Sequence, residues 1–132
     1  MSVKWGTFFK ATDRVKPDSV AQIDYAYNSA FWNPESPDEQ RPCEALNDIF
    51  KRYKDDLCVL EAIRNILVHQ GGKIDQDFLD SIHGKDHCLG KLEVPKKLLL
   101  SGDSVVRYAK SALNFSKDLL SFVDGWLVKY PP

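Results

Sequence analysis

From Glu44 to Gln70 the chain runs for about seven helical turns without a proline or a glycine. Leu46, Ile49, Phe50, Tyr53, Leu57, Leu60, Ile63 and Leu67 recur at the spacing that gathers them on one face of a continuous amphipathic helix. Gly71-Gly72 stops it, because glycine is the residue that readily leaves a helix through the left-handed region. A second long helix is predicted over 103–130, with Asp103 as its N-cap ahead of Val105. Its expected core positions are Val105, Ala109, Ala112, Ser116, Leu119, Val123, Trp126 and Tyr130, and Val106, Leu113, Leu120 and Leu127 add a neighbouring stripe. Two helices of this length with so wide an apolar face need a bundle, or a partner subunit, to cover them.

The rest of the chain fits that frame. Val20, Ile23, Tyr27 and Phe31 predict a shorter helix from about Asp18 to Trp32. Asn33-Pro34 ends it, and three prolines among acidic residues make 33–42 a connector. Only 92–94 and 97–100 have extended character, and Pro95 between them confines any pairing to an edge. A length of 132 residues, 43% of them hydrophobic, suits one domain spanning 1–132. The expected architecture is an all-α bundle of four to five helices with a long irregular loop. No apolar run reaches the roughly 18 residues of a membrane span, and no signal-peptide pattern opens the chain, so the expected location is cytoplasmic. Cys43, Cys58 and Cys88 form no CxxC unit and are expected as free thiols.

Net charge is −1, which argues against a protein that coats nucleic acid. The charge is nevertheless uneven. Residues 1–84 carry ten Lys/Arg against fourteen Asp/Glu, whereas residues 85–132 carry eight against five, so the C-terminal part can face phosphate. His83, His87 and Cys88 are metal-ligand types, but they lack a nearby fourth ligand and sit in a glycine-containing loop; neither metal nor cofactor is expected. Trp5, Trp32 and Trp126 read as core or interface residues rather than base-stacking platforms.

The chemistry gathers at Arg64-Asn65-Ile66-Leu67-Val68-His69, at the end of the first long helix. Each residue turns the helix by about 100°, so with Arg64 as origin Asn65 lies at about 100° and His69 at about 140°. Leu60, Ile63 and Leu67, the expected core positions, fall at about −40°, −100° and −60°, leaving the polar side beside the core stripe. Lys54, Cys58 and Glu61 extend that side upstream. Exposed carbonyls at a helix end favour a cation, which suits His69 there. A histidine so placed can exchange a proton with a ribose 2′-hydroxyl or a leaving 5′-oxygen, and Arg64 can hold a phosphate oxygen through its fork of donors. Asn65 can orient the imidazole or donate to phosphate, and Glu61 can hold Arg64 through an i, i+3 contact. Taken singly, Arg64 reads as an exposed helix residue and His69 as an ordinary helix-end histidine; the pairing and its placement favour function.

Arg64-Asn65-x-x-x-His69 resembles the Arg-x4-6-His signature of the HEPN superfamily (higher eukaryotes and prokaryotes nucleotide-binding), in which a polar residue commonly follows the arginine. Val68-His69-Gln70-Gly71-Gly72-Lys73-Ile74-Asp75 is similar to the continuation seen in many such domains, and the likeness covers roughly 44–130. It implies a bundle that dimerises so that two copies of the motif share one cleft. It further implies a metal-independent endoribonuclease, with Arg64, Asn65 and His69 catalytic and Glu61 supporting. RNA would be the substrate, and the setting a toxin–antitoxin or abortive-infection defence system with a cognate antitoxin, often nucleotidyltransferase-like. Some HEPN domains serve only to dimerise or to bind a partner.

Overall fold

The computed structural model describes residues 19–31 and 43–131. The chain is all-α. Among the described residues the helices are α1 (Ser19–Ala30), α2 (Glu44–His69), α3 (Gln76–Ile82) and α4 (Gly102–Lys129). Among the described residues there is no strand, only an isolated antiparallel bridge between Lys73 and Lys97, and no helix is long and apolar enough to cross a membrane. The expected long irregular loop is the segment 83–101, between α3 and α4. The connector at 33–42, together with Trp5 and Trp32, lies outside the described residues. Contacts divide the chain into two compact units, residues 53–116 and the remainder on either side, and α2 and α4 each contribute to both.

Outside 53–116 the packing is largely aromatic. Leu46 and Phe50 of α2 are buried, as are Val20 and Ala26 of α1. Phe31 meets Phe122 and Trp126 edge-on at 5.6 and 5.5 Å between ring centroids. Trp126 is thus a packing residue, as its position on the helix suggests. Ile23, expected on the core face of α1, is 40% exposed.

Within 53–116 the core gathers Val59, Ala62, Ile63 and Ile66 of α2 against Ile74, Phe78, Ile82, Leu98 and Tyr108. Burial of each large side chain contributes roughly 1.5–3 kcal/mol. Ile63 is buried as the spacing predicts, but the rest of this core is turned round α2 from the expected stripe, toward Val59, Ala62 and Ile66. On the wheel with Arg64 at the origin, Val59, Ala62 and Ile66 lie at about 220°, 160° and 200°, opposite the arginine. Leu67 is 49% exposed. The cause is the chain beyond Gly72, which returns Ile74, Phe78, Ile82 and Leu98 onto the 59/62/66 face.

A similar shift occurs in α4, where Leu119 alone of the expected core positions is buried. Ser104, Tyr108, Phe115 and Leu119 are buried, whereas Val105 and Leu113 are 53% and 70% exposed. Ser104 is tolerated in the core because its hydroxyl donates to the Cys88 carbonyl at 3.1 Å. The start of α4 also differs from expectation. Ser101, not Asp103, caps it: Ser101 Oγ accepts from Ser104 N–H at 3.1 Å, and Asp103 falls inside the first turn, where an acid still suits the helix dipole.

Short α3 has no counterpart in the periodicity, since seven residues are too few to establish one. Its signal is Asp75, whose carboxylate accepts from Phe78 N–H at 2.8 Å as an N-cap. Phe78 and Ile82 are its buried residues.

Candidate functional site

The end of α2 is fixed by the turn that follows it. Ile66 C=O accepts from both Gln70 N–H at 3.0 Å and Gly72 N–H at 2.9 Å. Gly71 and Gly72 have φ of 59° and 82°, values that a side chain rarely adopts. These bonds close the helix at His69, its last residue. Ile66 is buried in the core, while Arg64, Asn65 and His69 are all exposed.

The contacts among these side chains differ in two respects from expectation. Arg64 Nη1 donates to Asn65 Oδ1 at 3.0 Å, so the arginine is braced by its neighbour and not by Glu61, which is half-buried. Asn65 consequently turns toward Arg64, and no hydrogen bond joins it to His69. The amide oxygen is taken by the guanidinium, and its NH2 group faces outward as a donor. Arg64 therefore keeps most of its donor fork available while one neutral bond limits its rotamers. Lone exposed arginines lose considerable side-chain entropy on binding, and such a brace reduces that cost.

Beside this polar edge lies an open apolar groove of about 360 Å³, lined by Leu60, Leu67 and Val68 of α2 and by Leu100, Val105 and Ala109. Arg64 stands at its rim. The groove is the direct consequence of the rotated core stripes: aliphatic side chains expected inside both helices are turned outward onto one surface. The sequence carries the signal as apolar residues in excess of what one helix face can bury, at 105, 106, 109 and 113. Contiguous exposed apolar surface bordered by polar groups marks an interaction site more often than scattered exposed leucines do.

A second polar cluster joins α2 to α4 and is fully engaged. Arg107 Nη2 donates to Asp56 Oδ1 at 2.8 Å and to Asp86 Oδ2 at 3.1 Å, and the Ser111 hydroxyl donates to Asp56 Oδ2. Burial raises the Asp56 carboxyl, but the hydrogen bonds from Arg107 and Ser111, with the guanidinium charge, outweigh it and hold the group below its ordinary range. Nearby, the Cys88 thiol is lowered by its hydrogen bond with Ser104, against burial, and further by Tyr108 and the Arg107 charge. Burial pushes the Tyr108 phenol up to about 12.

His83 and His87 do not converge on Cys88 as ligands. His87 Nδ1 accepts from Leu89 N–H at 3.3 Å and the Cys88 sulfur faces Ser104 and Tyr108. Among the described residues no three His, Cys, Asp or Glu side chains are grouped to hold a metal ion. All three cysteines are free thiols. No protein family, curated protein or solved structure matches this chain.

Proposed function

We propose that the chain is a metal-independent endoribonuclease of the HEPN type whose active site is composed at a homodimer cleft, with Arg64 and His69 as catalytic residues and Asn65 as the brace of Arg64. The observation that carries this reading is the arrangement at the end of α2. Arg64, Asn65 and His69 are all exposed, Asn65 holds Arg64, and Arg64 lines an open apolar groove. A second copy docked on that groove would add its own Arg64 and His69 to the first pair.

In such a cleft one imidazole removes the proton of a ribose 2′-hydroxyl and the 2′-oxygen bonds to phosphorus. The bond from phosphorus to the 5′-oxygen breaks, the partner's imidazolium protonates that oxygen, and a 2′,3′-cyclic phosphate remains. The two Arg64 side chains stabilise charge on the non-bridging oxygens. Glu61, half-buried on α2, is proposed as a supporting residue that acts without pairing with Arg64. The biological setting proposed is the cytoplasm, as the toxin of a toxin–antitoxin or abortive-infection system restrained by an antitoxin.

The test is cleavage of single-stranded RNA in EDTA by the wild-type chain and by His69→Ala, with the 3′ ends of the products analysed. Cyclic-phosphate products from the wild type and none from the variant are expected. A folded wild-type dimer that leaves RNA intact would favour the second reading, a HEPN module that uses the same groove only to dimerise or to hold a partner.

A further inference from the structure

Beyond Gly72 the chain pairs for one bridge with the segment before α4. Ile74 N–H donates to Lys96 C=O at 3.0 Å and Leu98 N–H donates to Gly72 C=O at 2.8 Å, making Lys73 and Lys97 direct antiparallel partners. The two bonds flank the pair instead of joining it. Lys73 and Lys97 therefore occupy a non-hydrogen-bonded position, where opposite side chains leave from the same face with Cβ atoms about 4.5–5.5 Å apart. Both residues are exposed.

The lysines around them are occupied. Lys91 and Lys96 share Glu93, the former at 3.1 Å, and Lys85 Nζ donates to Ser81 C=O at 3.1 Å. Among the described residues no acid or carbonyl takes the ammonium of Lys73 or Lys97. Like charges set directly across a strand pair repel and weaken it. The fold nevertheless places them there, at the turn that begins one residue after His69.

Resting on the ribonuclease reading above, we infer that Lys73 and Lys97 form a two-cation clamp for successive phosphates of the single-stranded RNA that enters the Arg64–His69 edge. Mutual repulsion keeps the two ammonium groups apart, so they suit two neighbouring phosphates, one each, and bound phosphate removes the repulsion. The clamp also reconciles RNA binding with a net charge of −1. Affinity comes from a few cations concentrated at one edge, which predicts a shallow salt dependence.

The probe is a short fluorescent 2′-O-methyl oligouridylate, which cannot be cleaved by 2′-hydroxyl attack, titrated with the 132-residue chain from about 50 to about 200 mM NaCl. Removing both cations in Lys73→Gln/Lys97→Gln should lower the slope of log K against log salt by about 1.4, from about 0.7 per phosphate contact, and weaken binding more than about tenfold at the lowest salt. The charge-matched control Lys110→Gln/Lys117→Gln should leave the slope nearly unchanged. The clamp variant should melt at or above the wild-type temperature, because the repulsion is gone. An equal slope change in the control, an unchanged slope in the clamp variant, or a clamp variant that melts lower each overturns the clamp and leaves the ribonuclease reading standing. A wild-type chain that binds no oligonucleotide at any salt overturns both.

Discussion

Arg107 and Arg64 carry the same guanidinium, yet their surroundings differ in kind. Arg107 is gripped by Asp56 and Asp86 and lies 5.7 Å from the Tyr108 ring centroid. Arg64 is exposed and held by a single neutral amide, that of its neighbour Asn65. An arginine whose donors are satisfied by two carboxylates joins elements of the fold and has little left for a ligand. An arginine restrained by one neutral oxygen keeps its charge uncompensated and most of its donors pointing outward, at an edge with apolar surface beside it. The two regions separate a charge spent on joining the fold from one left open to a ligand.

The comparison breaks most visibly at the groove. On the proposed reading, Val68→Asp turns the proposed dimer into a monomer and lowers RNA cleavage at least about 100-fold, because a charge would be buried at the contact. Val68 is 60% exposed, so the folded monomer should keep its stability to within about 0.5 kcal/mol. Sedimentation, cleavage rate and urea unfolding measured together check this, and an active, dimeric Val68→Asp protein would remove the groove from the account.

Next in size is Arg107→Ala, expected to cost about 1–3 kcal/mol in urea unfolding, because it strands a largely buried Asp56 carboxylate. Arg64→Ala should change stability by less than about 0.5 kcal/mol. Equal losses in the two variants would erase the distinction between the arginines.

Gly71→Ala should destabilise by about 1 kcal/mol. Nothing obstructs the added methyl, but the φ of +59° is strained for any L side chain. Its effect on cleavage measures how far the turn positions His69.

The smallest effect is in pH. The Asp56 carboxyl is held low in the folded chain, so its contribution is present above the unfolded value of about 3.9 and is lost as pH falls through the still lower folded one. Urea midpoints of the wild type should therefore fall more steeply below about pH 4 than those of Asp56→Asn.

The extent of the long helices was legible in the sequence because their signals are local. Gly71-Gly72 and the spacing of three and four residues place the end of α2 within a residue of the observed one, and α4 likewise begins and ends within a residue of its expected span. Arg64, Asn65 and His69 are all exposed. The rotational phase of both helices was legible only in part: Leu46, Phe50, Ile63 and Leu119 are buried as the spacing predicts, whereas Leu67, Val105 and Leu113 are exposed. Ser104 and Tyr108 face inward through partners on the 83–101 loop, with Ser104 bonded to Cys88 sixteen residues away. Asp56 meets Arg107 across 51 residues. Contacts at such separations have no trace in periodicity. The same holds for the pairing of Lys73 with Lys97, which exists only after Gly72 and Leu98 have joined.

The central claim, that the charge left free on Arg64 serves catalysis, is tested most directly by one rate. This is the cleavage of single-stranded RNA in EDTA by Arg64→Ala relative to wild type, at a concentration where both are dimers. A loss of at least about 100-fold, with dimer and melting temperature unchanged, is predicted. An Arg64→Ala protein that cleaves as fast as the wild type would contradict it.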